Sequence, residues 1–300
     1  MTAPPGLDGA LVIDKPVGPT SHDVVARARR ALGTPKVGHT GTLDPLASGV
    51  LPLVIGRATR LARFLSASVK EYEATIAFGR ATDTYDAAGE TTSESAERPS
   101  ASDVEAALAA FRGTFPQTPP AFSAKKIDGE RAYRLARRAA PVAPAPVTVT
   151  VEALDLVECG PDSVRLRVRV SAGFYVRSLA HDLGMALGCG GHLAALRRTR
   201  AGAFTLAEAA PFDLLTPDHR ETLAGRLLPL ERMLPDLPEA RLTEAGQVRV
   251  GHGRDVGPGD LAGPAPPAPG PVRLVGPDGR LVAIAEAAPG GALHPSVVLR

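Results

Sequence analysis

Between Gly38 and Pro52 the chain runs Gly38-His39-Thr40-Gly41-Thr42-Leu43-Asp44-Pro45-Leu46-Ala47-Ser48-Gly49-Val50-Leu51-Pro52. An aspartate followed by proline and flanked by glycines belongs to a shaped turn, not to a helix or strand interior. Such a loop presents one carboxylate into a cleft, where it can act as a nucleophile or as a base. Asp-Pro turns are also ordinary turn chemistry, so this loop needs support from the rest of the chain. His39 precedes Asp44 by five residues, but neither the spacing nor a third ligand fits a metal centre. Asp83 and Asp86 form no calcium loop, because the regular oxygen-ligand spacing is missing. Pairing Asp44 with either acid in a glycosidase-like site has no independent support.

The elements around this loop read as follows. Residues 1–9 are expected to be a flexible tail, and Gly9 to Pro16 a short apolar strand ending in a turn. Ser21 is the expected N-cap of a helix over 22–32, with Val24, Val25, Ala28 and Leu32 on one face. Leu51–Ile55 reads as a buried strand, and 58–66 as a helix with Arg57, Arg60 and Arg63 along one side. Lys70–Phe78 alternates as a strand does, and a polar loop follows over 79–89. Ser102 or Asp103 is expected to cap a helix through 112. A Pro-bounded loop follows over 116–130, then a basic helix over 130–139. Residues 147–157 and 163–170 read as paired strands, with Arg165, Arg167 and Arg169 on an outer basic face. Val176–Leu187 is an amphipathic helix stopped by Gly188. Mixed element order without βαβ alternation favours an α+β fold with a mixed, largely antiparallel sheet. After a composition shift near 236, short apolar segments at 248–250, 272–275, 281–285 and 297–299 suggest a small β-barrel-like domain. A Gly/Pro stretch over 257–271 interrupts them.

Composition sets the class. Three hundred residues with 44% hydrophobic and 22% charged content describe a globular chain. The net charge of +2 does not by itself point to nucleic acid. Five of the 34 basic residues are lysines, which leaves 29 arginines. Arginine forks suit phosphate and stacking contacts, and genomic base composition produces the same bias, so this count decides nothing alone. Cys159 and Cys189 are far apart and suit a reduced compartment. The first residues carry no basic and apolar signal regions, and no apolar run approaches the ~18–20 residues of a membrane span. A cytoplasmic location is therefore expected.

Five segments in order resemble the TruB-type tRNA pseudouridine synthases, a family of stand-alone bacterial enzymes. They are Asp14-Lys15-Pro16-Val17-Gly18-Pro19-Thr20-Ser21, the Gly38–Pro52 run, Lys70-Glu71-Tyr72 with Asp83 to Gly89, Pro120-Ala121-Phe122-Ser123-Ala124 to Ala136-Arg137, and Gly173-Phe174-Tyr175-Val176-Arg177-Ser178-Leu179 to Arg198. The resemblance implies a pseudouridine synthase catalytic domain over 10–235, with a basic RNA-contacting insertion at 116–140. It also implies a PUA-type RNA-binding domain over 236–300. The implied activity turns the uridine at position 55 of the tRNA T-loop into pseudouridine, with no metal or external cofactor. No obligatory protein or guide-RNA partner is implied, and a monomer is expected.

By the same resemblance, Asp44, Tyr72 and Arg177 are catalytic, with Arg177 in a bidentate pair with Asp44. Tyr175 and Leu196 line the pocket, Asp86 organises an arginine or the RNA, and His39 contacts flipped RNA. Lys15 packs the loop near the site. Lys125, Lys126, Arg131, Arg134 and Arg137 match the RNA-contacting insertion, and Arg197, Arg198 and Arg200 make a second basic group. Phe122 stands where the family usually has tyrosine, and Ala139 where glycine commonly ends the basic helix. The alternative is a tRNA-binding and folding chaperone whose isomerase activity is secondary or lost.

Overall fold

The computed structural model describes residues 7–122, 126–127, 130–131, 144–266 and 270–299. Apolar β-branched and leucine-rich stretches form the centre. Strand β1 (Gly9–Lys15) pairs antiparallel with β3 (Ala47–Ile55), and the short β2 (Val37–His39) pairs antiparallel with residues 53–55 of β3 on its other edge. β4 (Lys70–Phe78) follows, then the two-stranded β5 (Arg80–Thr82) and β6 (Thr91–Glu94). β7 (Gly113–Gln117), β10 (Val147–Cys159) and β11 (Ser163–Val170) extend the main sheet. Residues of β8 (Lys126–Ile127) and β9 (Glu130–Arg131) pair with each other. β12 (Gly191–Ala201), β13 (Phe204–Thr205) and β14 (Ala210–Pro211) complete the sheet. Its order is β14-β1-β3-β12-β4-β11-β10-β7, with β2 and β13 off this path. The pairs β12–β3 and β1–β14 are parallel and the others antiparallel, so the sheet is mixed and largely antiparallel as expected.

β12 lies between β3 and β4, a central position that its arginine-rich sequence conceals. Its register sets Leu196 opposite Ala47 on one side and Ala74 on the other, and Arg198 opposite Gly49 and Tyr72. Three segments distant in sequence therefore meet on adjacent strands. Gly49 makes this approach possible. Its φ is +101°, and a β-carbon there would lie 2.2 Å from the Arg198 carbonyl oxygen.

Helix α1 (Ser21–Leu32) packs Val24, Val25, Ala28, Ala31 and Leu32 into the main core. Its N-cap is Thr20, not Ser21: Thr20 and Asp23 form a reciprocal capping box. The Ser21 hydroxyl instead donates to the Leu43 carbonyl at 3.0 Å and accepts from the Leu43 amide at 2.8 Å. It thus ties the helix start to the Asp44 loop. Helix α2 (Ala62–Ser66) is preceded by a 3₁₀ segment over Gly56–Leu61, where a single helix over 58–66 was expected. Helix α3 (Ala101–Leu108) is capped by Ser100 in a box with Asp103, earlier than expected, and ends before Arg112. Helix α4 (Val176–Ala186) lies against β12. A β-carbon on Gly184 would come within 2.1 Å of the Gly191 nitrogen, so glycine sets this close packing. Residues such as Leu11, Ile13, Leu51 and Leu53 are fully buried, each stabilising the fold by about 1.5–3 kcal/mol.

Three expected features change on folding. Asp8, placed in the flexible tail, accepts from the Arg57 amide at 2.6 Å and pairs with the Arg57 guanidinium at 2.8 Å, and β1 starts at Gly9. The outer arginines of β11 are not a free basic face: Arg165, Arg167 and Arg169 pair with Glu158, Glu73 and Glu152. Exposed pairs of this kind contribute about 0–1 kcal/mol each. Of the basic helix expected over 130–139, Glu130 and Arg131 are strand residues, and 132–139 lie outside the described residues.

The C-terminal region forms a four-stranded sheet in the order β15 (Glu239–Arg241), β16 (Val272–Val275), β17 (Leu281–Ala287), β18 (Leu293–Val298). Val248-Arg249-Val250, expected as a strand, lies in a helix over Glu244–Gly251 capped by the Thr243 hydroxyl. Val250 is buried and Val248 exposed, whereas a strand would turn both valines to one face; the buried pair Gly246 and Val250 instead has helical spacing. One apolar cluster joins the two sheets, containing Val12, Val50 and Val54 from the first, Leu61 from the 3₁₀ segment, and Val275, Leu281 and Ile284 from the second. The arginine row at the 3₁₀ segment reinforces that joint. Arg60 donates to the Val298 carbonyl, and Arg63 donates to the Ser296 hydroxyl at 3.0 Å.

Candidate active site

A cavity of about 280 Å³ opens where the Asp44 loop meets β4, β12 and the start of α4. Asp44, Tyr72, Tyr175, Arg177 and Leu196 all line it. These five residues were each singled out in the sequence, and the fold brings them together from four separate segments. Tyr72 projects from β4 and Leu196 from β12, and both are nearly buried. Tyr175 is the N-cap residue of α4, and its backbone is fixed by Gln117: the Tyr175 amide donates to Oε1 at 2.8 Å, and Gln117 Nε2 donates to the Tyr175 carbonyl at 3.0 Å.

Arg177 is the hub. Although it sits in the first turn of a helix, its side chain is only 8% exposed. Nε lies 3.0 Å from Asp44 Oδ2, and Nη1 lies 3.6 Å from Asp86 Oδ2. Nη1 also donates to the Thr84 carbonyl at 3.2 Å and Nη2 to the Phe122 carbonyl at 3.0 Å. The expected bidentate pair with Asp44 is therefore absent. The two terminal nitrogens are engaged by backbone carbonyls, which leaves Nε to meet the carboxylate. Asp44 Oδ1 has no hydrogen-bond partner among the described residues, and the side chain is 37% exposed, so it remains accessible from the cavity.

Asp86 sits behind Arg177, away from the cavity lining. It accepts through Oδ1 from the Thr84 hydroxyl at 2.8 Å and from the Ala88 amide at 3.0 Å. Lys15 is fully buried beneath the loop, donating to the Ala47 carbonyl at 2.7 Å and the Pro16 carbonyl at 2.8 Å. His39 adjoins the cavity wall at Thr40. Its Nδ1 accepts from the Gly41 amide at 3.3 Å, and its ring meets His22 edge-on with centroids 5.8 Å apart. Burial, with smaller effects from His22 and Arg198, pulls the His39 pKa below its ordinary value and favours the neutral ring. In the insertion, Lys126 and Arg131 are register partners across the β8–β9 pair. Lys125, Arg134 and Arg137 lie outside the described residues.

Two cavity residues escaped the sequence reading of the site. Arg198, grouped there with Arg197 and Arg200 as a second basic group, is 1% exposed. Its Nε donates to the Val50 carbonyl at 2.7 Å and its Nη2 to the Gly41 carbonyl at 3.1 Å, so it braces the Asp44 loop from below. Lys70 is buried at the cavity, donating to the Ser66 and Ser68 carbonyls. The available signal was scarcity: two of only five lysines, Lys15 and Lys70, occupy buried positions in an arginine-rich chain.

Burial lowers the pKa of both lysines from 10.5 to about 8. Arg198 adds to the shift in each case, and Asp44 opposes it at Lys15. Between pH of about 8 and 10.5 the unfolded chain holds these protons and the folded chain does not, so each lysine makes stability rise with pH. Below that window both states are protonated and the slope vanishes. The urea midpoint of the wild type is thus expected to gain on that of Lys70→Met as pH is raised from about 8 to about 10. A difference independent of pH would contradict this assignment.

Comparisons with known proteins place this site in a family. Residues 29–176 match the N-terminal domain model of the TruB family pseudouridylate synthases, and residues 177–235 match the tRNA pseudouridylate synthase B C-terminal domain. A protein named tRNA pseudouridine synthase B from Solibacter usitatus (strain Ellin6076) is 47% identical over 295 residues, covering 98% of this chain and 100% of that protein. One of the same name from Thermobifida fusca (strain YX) is 44% identical, covering 93% of this chain and 94% of its own. Among solved structures, the archaeal box H/ACA sRNP Nop10-Cbf5 complex contains a chain 27% identical to this one, with a TM-score of 0.75 over 98% of this chain and 86% of that chain. The chain belongs to the TruB family of pseudouridylate synthases. It is accordingly an enzyme with a pseudouridine synthase fold. Among the described residues no helix is long and apolar enough to cross a membrane.

Proposed function

We propose that the protein isomerises the uridine at position 55 in the T-loop of tRNA, with Asp44 as the reacting carboxylate. The supporting observation for tRNA is the near full-length identity to relatives named tRNA pseudouridine synthase B. For Asp44 it is the oxygen Oδ1, open toward a cavity while Arg177 holds Oδ2 at 3.0 Å.

The target base leaves its stack and enters the cavity, at a cost of a few kcal/mol. The cavity volume of about 280 Å³ falls just below the about 300–1,000 Å³ range of drug-sized ligand pockets, as a site for a single base should. Tyr72 and Tyr175 offer aromatic faces to the base, and stacking of this kind contributes about 1–3 kcal/mol per base. Two routes are open to the carboxylate. In one, Asp44 Oδ1 bonds to C1′ while the C1′–N1 bond breaks and its electron pair leaves with uracil. The base turns, C5 bonds to C1′ and the carboxylate departs. In the other, Asp44 takes the proton from C2′, uracil leaves to give a glycal, C5 adds to C1′, and the proton returns to C2′. Both end with loss of the C5 proton and protonation of N1, and Tyr72 is the proposed aid to that proton loss. Bound RNA would cover the cavity mouth and limit escape of the detached base.

We further propose that residues 10–235 form the catalytic domain, and that the C-terminal sheet within 236–300 is a PUA-type RNA-binding domain. His39 and the basic residues of the 116–140 insertion contact the RNA. The enzyme acts on free tRNA as a cytoplasmic monomer, without guide RNA or partner protein. Tritium release from tRNA transcripts labelled at C5 of uracil, with the purified protein alone, tests this. Release is expected from a transcript with uridine at position 55 and is lost when cytidine replaces that one nucleotide. Equal release from both would overturn the position, and none from either would overturn the activity on bare tRNA.

A further inference from the structure

Helix α4 carries Arg177 in its first turn and His181 one turn later, on the same side. The His181 ring lies flat on Tyr85, with centroids 3.9 Å apart and planes 10° from parallel. Tyr85 has a φ of +64°, a left-handed conformation that a residue with a β-carbon rarely adopts. Its two neighbours are the groups that face Arg177. The Thr84 carbonyl accepts from Nη1, and the Asp86 carboxylate lies 3.6 Å from the same nitrogen. The Tyr85 backbone is also tied down, its carbonyl accepting from the Leu193 amide at 3.0 Å. The left-handed turn at Tyr85 is thus what points both acceptors at one guanidinium nitrogen.

The chemistry of His181 indicates a flat packing surface. Its Nδ1 is buried with no hydrogen-bond partner. Neither Tyr85 nor His181 lines the cavity. A polar ring held without its hydrogen bond, against a strained loop residue, makes its contribution through its face.

We infer that the Tyr85–His181 stack is a positioning element of the active site. It locks residues 84–86 in the turn that holds Arg177, and through Arg177 it sets the orientation of Asp44. The inference rests on the reading of Asp44 and Arg177 proposed above and adds two residues that do not line the cavity. Misplacing a catalytic group by about 1 Å can cost roughly 100-fold in rate, so a small shift of this loop is enough to be seen.

The test compares four variants by tritium release at varied tRNA concentration, with thermal unfolding alongside. Glycine adopts the left-handed region without strain, so Tyr85→Gly removes the ring and keeps the backbone turn accessible. In Tyr85→Gly and His181→Ala, kcat is expected to fall ~10- to 100-fold, with KM held within about twofold and cooperative unfolding retained. Tyr85→Phe and His181→Phe keep a flat ring and should restore most of kcat. Wild-type kcat in Tyr85→Gly would overturn the inference. So would phenylalanine variants as impaired as the small ones, because the polar atoms would then be what matters. Turnover by the wild type with an unaffected Tyr85→Gly removes this inference alone. No turnover by the wild type on tRNA removes the proposed function and this inference with it.

Discussion

Asp44→Asn should reduce isomerisation by at least about 10⁴-fold, the scale seen when a reacting nucleophile is removed, while RNA affinity changes by less than about twofold. The amide has nearly the volume of the carboxylate, and the side chain is 37% exposed, so folding should be little affected. Arg177 keeps its hydrogen bonds to the Thr84 and Phe122 carbonyls and its ion pair with Asp86, and is therefore not stranded. What the variant loses is the negative oxygen. An amide oxygen is a weak nucleophile toward C1′ and a weak base toward C2′–H, so both proposed routes fail. Single-turnover tritium release with enzyme in excess measures the chemical step, and filter binding measures affinity. Residual release within tenfold of the wild type would remove Asp44 from the centre of the reaction. A matching loss of affinity would make it a binding residue.

Arg177→Lys keeps the charge and is expected to lower kcat by about 10²–10³-fold, comparable to losing one preorganised catalytic donor. Arg177 meets four acceptors: Asp44 Oδ2, Asp86 Oδ2, and the carbonyls of Thr84 and Phe122. Its planar fork reaches them in several directions, whereas an ammonium has three donors around one point. The Arg177 side chain is nearly buried, and acceptors left unmet around it cost about 1–3 kcal/mol each. Lysine is therefore expected to reduce stability as well as turnover, and Asp44 loses its fixed orientation. Comparing kcat with the urea midpoint separates the two effects. Unchanged kcat in a folded Arg177→Lys protein would show that the cavity orients Asp44 without the guanidinium.

The amino-acid sequence by itself determined the features that depend on neighbours in the chain. The Asp-Pro turn is local chemistry, so Asp44 stood out before any fold was known. Alternating apolar residues marked β4 and β11, and the Gly188 stop marked the end of α4. Local rules erred where two local choices were nearly equivalent. Thr20 and Ser21 can both cap a helix, and the choice fell to Thr20 because Leu43 engages the Ser21 hydroxyl from 22 residues away. Val248-Arg249-Val250 fits a strand or one helical turn, and the Thr243 cap made it helix.

The tertiary structure alone decided which charges are buried and what they meet. Arg198, read only as one of a basic group, and Lys70, given no role, lie inside with Lys15, each satisfied by backbone carbonyls: Val50 and Gly41 for Arg198, Ser66 and Ser68 for Lys70, Ala47 and Pro16 for Lys15. The same holds for Arg177, whose partners come from residues 44, 84, 86 and 122. The outer arginines of β11 were neutralised by glutamates of neighbouring strands, and the arginine row near residue 60 became a clasp between two sheets. The physical reason is that a charge leaves water only where several hydrogen bonds replace its hydration. For Arg177 and Arg198 those partners are set by strand register and helix packing, and no short stretch of sequence carries either.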